Sequence, residues 1–333
     1  MSAVARVLMA IGCMAVASAT WSAQQSMSGP RPCDYTDLMP AYQKFAAETV
    51  ALSPEERATV FLRDIAAKYP DYYAPEIYGN EAKLQERAVR FFDPVKRAAA
   101  IPSQPPLTED HLAAMARTVG PQLLREQRRF IATFRDFQCA TTVELGVSLL
   151  KFDGHPALIG GRQHLLFGVD LIALLHGPQD MPSFFDHEIF HIYHKQLIAA
   201  QLPKGEEPAW VTLWIEGLAT YVSQRMNPGL DAQQVLWFPR DMVARMQIEG
   251  PRAARLLLRD LDKTGPEGER WFLMGTQVEG LPDRAGYYLG YLFAKSIGDS
   301  VELPTLARMS LAQLHSQERT FLTGLGRSGP ASH

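Results

Sequence analysis

An α+β fold dominated by helices is what the sequence predicts, and three observations carry the prediction. Apolar residues recur at helix spacing through most of the chain, a short region from Thr141 alternates instead, and stretches rich in Pro and Gly separate the segments. With 333 residues, 47% of them apolar, the chain can bury the core of one large or two ordinary domains. Its 33 Lys and Arg against 36 Asp and Glu leave a formal charge of −3, and no basic run is dense enough to track a phosphate backbone. Nucleic acid is therefore not an expected partner.

Residues 1–19 read as an export signal. Arg6 supplies the positive start, 7–19 form a short apolar run, and Ala17-Ser18-Ala19 fits small-residue cleavage after Ala19. A single membrane anchor is the other reading, but a span requires ~20 apolar residues. Cys13 makes a poor lipoprotein site, because apolar residues continue beyond it. The next most apolar stretch, 165–175, is interrupted by Asp170, so no stable span is expected once the signal is removed. The expected destination is the periplasm or the medium. Residues 20–32 form a tether whose Ser, Gly, Gln and Pro have little to bury. Removing Cys13 leaves Cys33 and Cys139, which are expected to pair in an oxidising compartment, two buried thiols being the alternative.

Residues 33–137 read as an N-terminal helical region. Leu38, Tyr42 and Phe45 share a helix face, and Ser53-Pro54-Glu55-Glu56 opens a second helix with a cap, a proline at its first position and acids in its first turn. A third helix is expected from about 80 to 100, ending before the Pro-rich linker at 101–106, which no helix can cross. A fourth, at 108–137, is rich in Arg, whose charges read as a solvated face. From Thr141 the pattern becomes β-like. The alternating run 142–149 and a second run at 163–168, with Asp153-Gly154 as the turn, predict a hairpin. It reads either as a structural hairpin or as an edge to which an extended substrate adds a strand.

The chemistry concentrates in His187-Glu188-Ile189-Phe190-His191. On a helix, positions four apart stack on one face, so both imidazoles can reach one cation while Glu188 sits beside them. Two neutral imidazoles on a metal, with a carboxylate near its water to take a proton, are the requirements of a hydrolytic zinc site. Ser183 and Asp186 are spaced as a capping box for this helix, which should run to about Ala200. A catalytic zinc needs a third ligand and an open position. Glu216 is the best candidate. It stands 25 residues beyond His191 on the next predicted helix, which starts near Trp210, and the small Gly217 and Ala219 would let the two helices approach. His194 is poorly placed to chelate together with both partners and reads as core or as support for the ligands. Asp186 is too near the helix start.

Trp214-Ile215-Glu216-Gly217-Leu218-Ala219 resembles a segment of the gluzincins, zinc peptidases with two histidines on one helix and a glutamate from the next. The likeness is closer to bacterial families of zinc-dependent proteases of unknown substrate, and it covers roughly 141–295. It implies a zincin-like catalytic domain over 138–325, with a small sheet preceding the metal helix. By the same resemblance His187, His191 and Glu216 would be the metal ligands and Glu188 the general base. Tyr287-Tyr288-Leu289-Gly290 is similar to the segment in which the aminopeptidase branch carries an oxyanion-binding tyrosine. Tyr287 matches that tyrosine and Tyr288 is second choice, although aromatics at helix spacing also build cores. The segment that holds a free N-terminus in those aminopeptidases is absent. Leu289 replaces their lysine, and Thr220 stands where thermolysin-like enzymes orient a histidine with aspartate.

Further helices are expected near 231–248, 251–261 and 303–322, with a Gly- and charge-rich loop before 282 able to serve as a lid. Arg284 reads as an exposed side chain, or else as a partner for a substrate carboxylate. Residues 326–333 read as a disordered tail. The expectation is an exported zinc hydrolase acting on peptides or proteins. The rival is a non-hydrolytic envelope protein that keeps the zinc fold to bind or assist partners, against which the intact Glu188 argues.

Overall fold

The computed structural model describes residues 30–101, 104–177 and 179–327. The export signal, most of the tether and residues 328–333 lie outside the described residues. Helices dominate and a single small sheet is present among the described residues, an α+β architecture. The described residues divide into two compact units, one formed by 33–125 and 139–181, the other by 30–32, 126–138 and 182–327. The strands, expected to share a domain with the metal helix, fall in the first unit.

The first unit starts with strand β1 (Tyr35–Asp37) and helix α1 (Met39–Glu48). Helix α2 (Pro54–Phe61) begins with the expected capping box: Ser53 accepts from the Glu56 amide while the Glu56 side chain accepts from that of Ser53. The helix expected at 80–100 is two helices, α4 (Glu81–Phe92) and α5 (Pro94–Ala100), preceded by a short α3 (Pro75–Tyr78). Pro94 cannot donate into a continuing helix, and Asp93 accepts from the amides of Val95 and Lys96, so it ends one helix and caps the next. Helix α6 (Glu109–Thr133) stops short of 137.

Strands β2 (Thr142–Gly146), β3 (Gly154–Ile159) and β4 (Arg162–Gly168) complete a sheet of order β1-β2-β4-β3. The hairpin differs from the expected one. Strand β2 runs parallel to β4, and the antiparallel partner of β4 is β3, with Ile159 opposite Arg162 and the turn at Gly160-Gly161. Both glycines take positive φ, 54° and 79°, as a tight two-residue turn needs, whereas Asp153-Gly154 only leads into β3. Pro156 sits on the edge strand β3, where a missing amide is tolerated.

Three tyrosines from 72–78 fasten that segment to β4 and to the loop after β2. The hydroxyls of Tyr72, Tyr73 and Tyr78 donate to the carbonyls of Phe167, Val147 and Ser148 at 2.8, 2.9 and 3.1 Å. Asp170, at the start of α7 (Val169–Leu175), is buried and accepts from the Ser148 and Leu150 amides at 2.7 and 2.6 Å. No described helix is long and apolar enough to cross a membrane. Cys33 and Cys139 form the expected disulfide, and closing 106 residues stabilises by ~3 to 5 kcal/mol on loop-entropy grounds.

The second unit is helical. It holds α8 (Met181–Ile198), α9 (Ala209–Met226), α10 (Ala232–Leu236), α11 (Met242–Asp260), α12 (Gly265–Glu269), α13 (Ala285–Gly298), α14 (Leu303–Leu306) and α15 (Leu311–Arg327). Ser183 lies inside α8 and does not cap it, because the helix begins at Met181. The break expected at Gly250-Pro251 occurs instead at Trp237–Pro239, where Pro239 disfavours helix in its predecessor and Trp237 takes a φ of 56°. Helix α11 runs through Pro251 because Met246, Gly250, Ala253, Ala254 and Leu257 line one buried face, whose burial outweighs one lost backbone bond. The segment expected as one helix at 303–322 is α14 followed by α15, and α15 includes Gly326 and Arg327 from the expected tail.

Glu318 is buried in α15, and neither carboxylate oxygen has a hydrogen-bond partner among the described residues. Burial alone pushes its carboxyl well above the usual carboxylate range. A group whose pKa rises on folding favours the folded state below its unfolded value and loses that contribution as pH climbs through the folded value. Glu318→Gln should therefore gain stability relative to the parent as pH rises from acid, reaching ~1 to 3 kcal/mol, the cost of a buried polar group without a partner. Urea midpoints compared at pH 4 and pH 8 test this, and a parent–variant difference independent of pH refutes it.

Candidate metal centre

Helix α8 carries His187 and His191 one turn apart, and α9 brings Glu216 to them. The two Nε2 atoms are 3.0 Å apart, and each lies 3.3 Å from Glu216 Oε2. All three side chains are nearly buried, and Oε2 has no hydrogen-bond partner. A tetrahedral ion with ligands at about 2.0 to 2.1 Å separates neighbouring donors by roughly 3.3 to 3.4 Å. The observed triangle thus matches one face of such a site, and two imidazole nitrogens with one carboxylate oxygen form a donor set suited to a divalent ion. Among the described residues this is the one group of three or more His, Cys, Asp or Glu side chains placed to hold a metal.

Electrostatics of the metal-free cluster follow its burial. Burial first, then the neighbouring His191 charge, lowers His187 to about 4, leaving it a neutral donor at pH 7. Burial also opposes charge on His191, but the Glu216 and Glu188 carboxylates lift it above the ordinary histidine value. Burial would raise Glu216, yet the facing imidazoles hold it well below the usual carboxylate range. The pairing keeps one negative charge pointed at the place where a cation would sit.

Glu188 lies between the ligands on α8, half-buried and within electrostatic reach of His191 and Tyr287. Tyr287, on the first turn of α13, stacks near His187 with ring centroids 6.3 Å apart. Burial, followed by the Glu216 carboxylate, raises its phenol above the ordinary tyrosine value, so it is a hydrogen-bond donor at neutral pH. Of the two tyrosine candidates, Tyr287 is the one that stacks near His187. Tyr288 is raised by burial alone.

Gly217 and Arg284 differ from expectation, whereas His194 takes one of its two expected places and Thr220 leaves the histidine-orienting group open. Gly217 serves the approach of α9 to α13, since a Cβ there would stand 2.1 Å from the Gly290 carbonyl carbon. His194 is core: it is fully buried, stacks on Phe190 at 5.2 Å and lies outside the donor cluster. Burial drives it down to about 3. Thr220 donates to the Glu216 carbonyl at 2.8 Å, and neither His187 Nδ1 nor His191 Nδ1 has a hydrogen-bond partner among the described residues. Arg284, read as exposed, is 3% exposed.

Other groups around the cluster gave little sequence signal. Trp237 packs on His187 at 5.4 Å, and only its positive φ delivers it there, which no local pattern announces. Asp186 is buried beside His187 and is held by Arg129 of α6 and by Asn227 Nδ2 at 2.7 Å. Burial pushes Asp186 up to about 7 against the pull of Arg129 and Asn227. Asn227 also donates to the Ser223 carbonyl at 2.7 Å, so the end of α9 is fixed to the start of α8. Arg129 stays on the exposed face expected of that helix, its side chain 42% exposed, while reaching Asp186.

No family model matches the chain, and no curated protein matches it.

Proposed function

We propose that this chain is an exported zinc-dependent hydrolase of peptide bonds, with a zincin-like catalytic centre of the gluzincin type. The observation that carries the reading is the convergence of His187, His191 and Glu216 at 3.0 to 3.3 Å with Glu188 on the same helix. A zinc ion held by these three residues would polarise the scissile carbonyl and lower the pKa of water. The chain's own groups then do the rest. Glu188 takes the proton of the attacking water and passes it to the leaving amine, and Tyr287 donates to the oxygen on which negative charge develops. Donation that strengthens as charge builds favours the transition state over the bound substrate. The Cys33–Cys139 bridge supports an oxidising compartment, in keeping with the export signal read at residues 1–19.

The test is metal analysis of the purified mature chain, followed by digestion of unfolded casein before and after chelation. Bound zinc and cleavage that chelation abolishes and added zinc restores are expected. Removing the ion should also lower thermal stability, because an ion that binds only the folded state at 1,000 times its Kd contributes about 4 kcal/mol. A preparation without tightly bound metal refutes the proposal. Bound zinc with no cleavage across a peptide library favours the rival, a non-hydrolytic zinc protein.

A further inference from the structure

Arg284 is a charged side chain in the second unit whose burial the hydrolytic mechanism leaves unexplained. It sits at the N-cap of α13 with a φ of 61°, left-handed for a residue with a side chain, and is 3% exposed. Its Nη1 lies 3.4 and 3.5 Å from the Leu236 and Phe238 carbonyls, at the long limit of hydrogen bonding, and its Nε has no partner. Among the described residues none of its contacts is to a carboxylate. A buried cation without a counter-ion is costly, and a strained backbone at the same residue adds to that cost.

The guanidinium is placed on a ring. Its central carbon is 3.9 Å from the centroid of Tyr287, the ring that stacks near His187 and meets Phe272 edge-on at 6.1 Å. A cation over an aromatic face is attracted by the ring quadrupole, more strongly where water is excluded. It also draws electron density from the phenol and so makes its O–H a stronger donor. The two carbonyls beneath the guanidinium flank Trp237, which packs on His187, so one side chain touches both the tyrosine and the loop against the metal ligand.

We propose that Arg284 is a positioning residue: its guanidinium on the face of Tyr287 fixes the ring beside His187 and aims its hydroxyl at the reacting carbonyl oxygen. This rests on the hydrolase reading of the centre. The direct recognition of a substrate carboxylate by Arg284 fits less well, because the group is buried under the ring.

The experiment compares Arg284→Gln and Arg284→Lys in the parent and in a Tyr287→Phe background. The near-ultraviolet absorption of the metal-free proteins is read first, because it requires no activity. Arg284→Gln should shift a tyrosine band, Arg284→Lys should shift it less, and neither should do so in the Tyr287→Phe background. With zinc bound, Arg284→Gln should lower kcat on the order of 30-fold at near-constant KM, with partial rescue by Lys and almost no further loss when Tyr287 is already Phe. An unchanged tyrosine band overturns the proposal whatever the activity. So does a loss of kcat that is equally large without the Tyr287 hydroxyl, or a loss confined to KM, which would assign Arg284 to substrate binding. If the parent cleaves no peptide, the hydrolase reading fails by itself, and the spectra still decide whether the guanidinium sets the ring.

Discussion

Glu188→Gln is expected to lower casein hydrolysis by roughly 10²- to 10⁴-fold while the zinc content stays at one ion per chain. The expectation follows from the separation of roles on α8. His187 and His191 face Glu216 through their Nε2 atoms, whereas Glu188 is absent from that donor group and lies only within electrostatic reach of it. Glutamine keeps the shape and half-burial of the side chain but cannot accept a proton from water at neutral pH, so chemistry is lost and the metal is kept. A matched Glu216→Gln variant should reverse the pattern, losing metal first and activity as a consequence. The comparison needs zinc measured by mass spectrometry and kcat measured on the same preparations. Turnover of Glu188→Gln within a few-fold of the parent would assign the base elsewhere. Loss of metal from Glu188→Gln would place its carboxylate among the ligands, contrary to the observed triangle.

What the sequence made legible here follows the range of the interactions involved. The histidines are four residues apart on one helix, so helix geometry alone brings them together. Glu216 required only that the next helix return beside the first. The Ser53 capping box and the Cys33–Cys139 bridge are similarly local or constrained by chemistry. The parts that were not legible depend on long-range packing. Strand β3 escaped because Pro156 and the glycine turn disguise a short edge strand, and β2 pairs in parallel with β4 across the β3 that intervenes in sequence. Pro251 is a strong breaker in isolation, yet the buried face of α11 overrides it, while the weaker local signal at Trp237–Pro239 marks the real break. Arg284 read as exposed because an arginine after Asp283 in a charged loop normally is. Its burial follows from a left-handed cap that turns it under α13.

The same dependence on packing makes Gly290→Val the variant expected to damage the second unit most. The α9 and α13 backbones meet at Gly217 and Gly290: a Cβ on Gly290 would stand 2.3 Å from the Leu213 carbonyl oxygen and 3.0 Å from the Gly217 Cα. Those neighbours are backbone, so no rotamer change relieves the overlap, and the helices must separate along a length that carries Leu213, Trp214 and Phe293 in the core. Overpacking usually costs ~1 to 3 kcal/mol, and a branched residue against two backbones should exceed that, on the order of 4 kcal/mol. The control is Gly324→Ala on α15, where a Cβ meets nothing within 4 Å and helix propensity favours alanine, so a gain of ~0.5 to 1 kcal/mol is expected. Tryptophan fluorescence in urea is a suitable readout, because Trp210, Trp214, Trp237 and Trp271 all lie in the second unit. Equal midpoints for Gly290→Val and the parent would mean that the helices do not cross there. The crossing also links fold to chemistry. Glu216 directly precedes one glycine and Tyr287 stands one turn before the other, so prying the helices apart must move the candidate carboxylate ligand and the phenol together. Gly290→Val should accordingly weaken zinc retention, whereas a destabilisation elsewhere in the unit, at the buried Leu314 of α15 for example, should leave it intact.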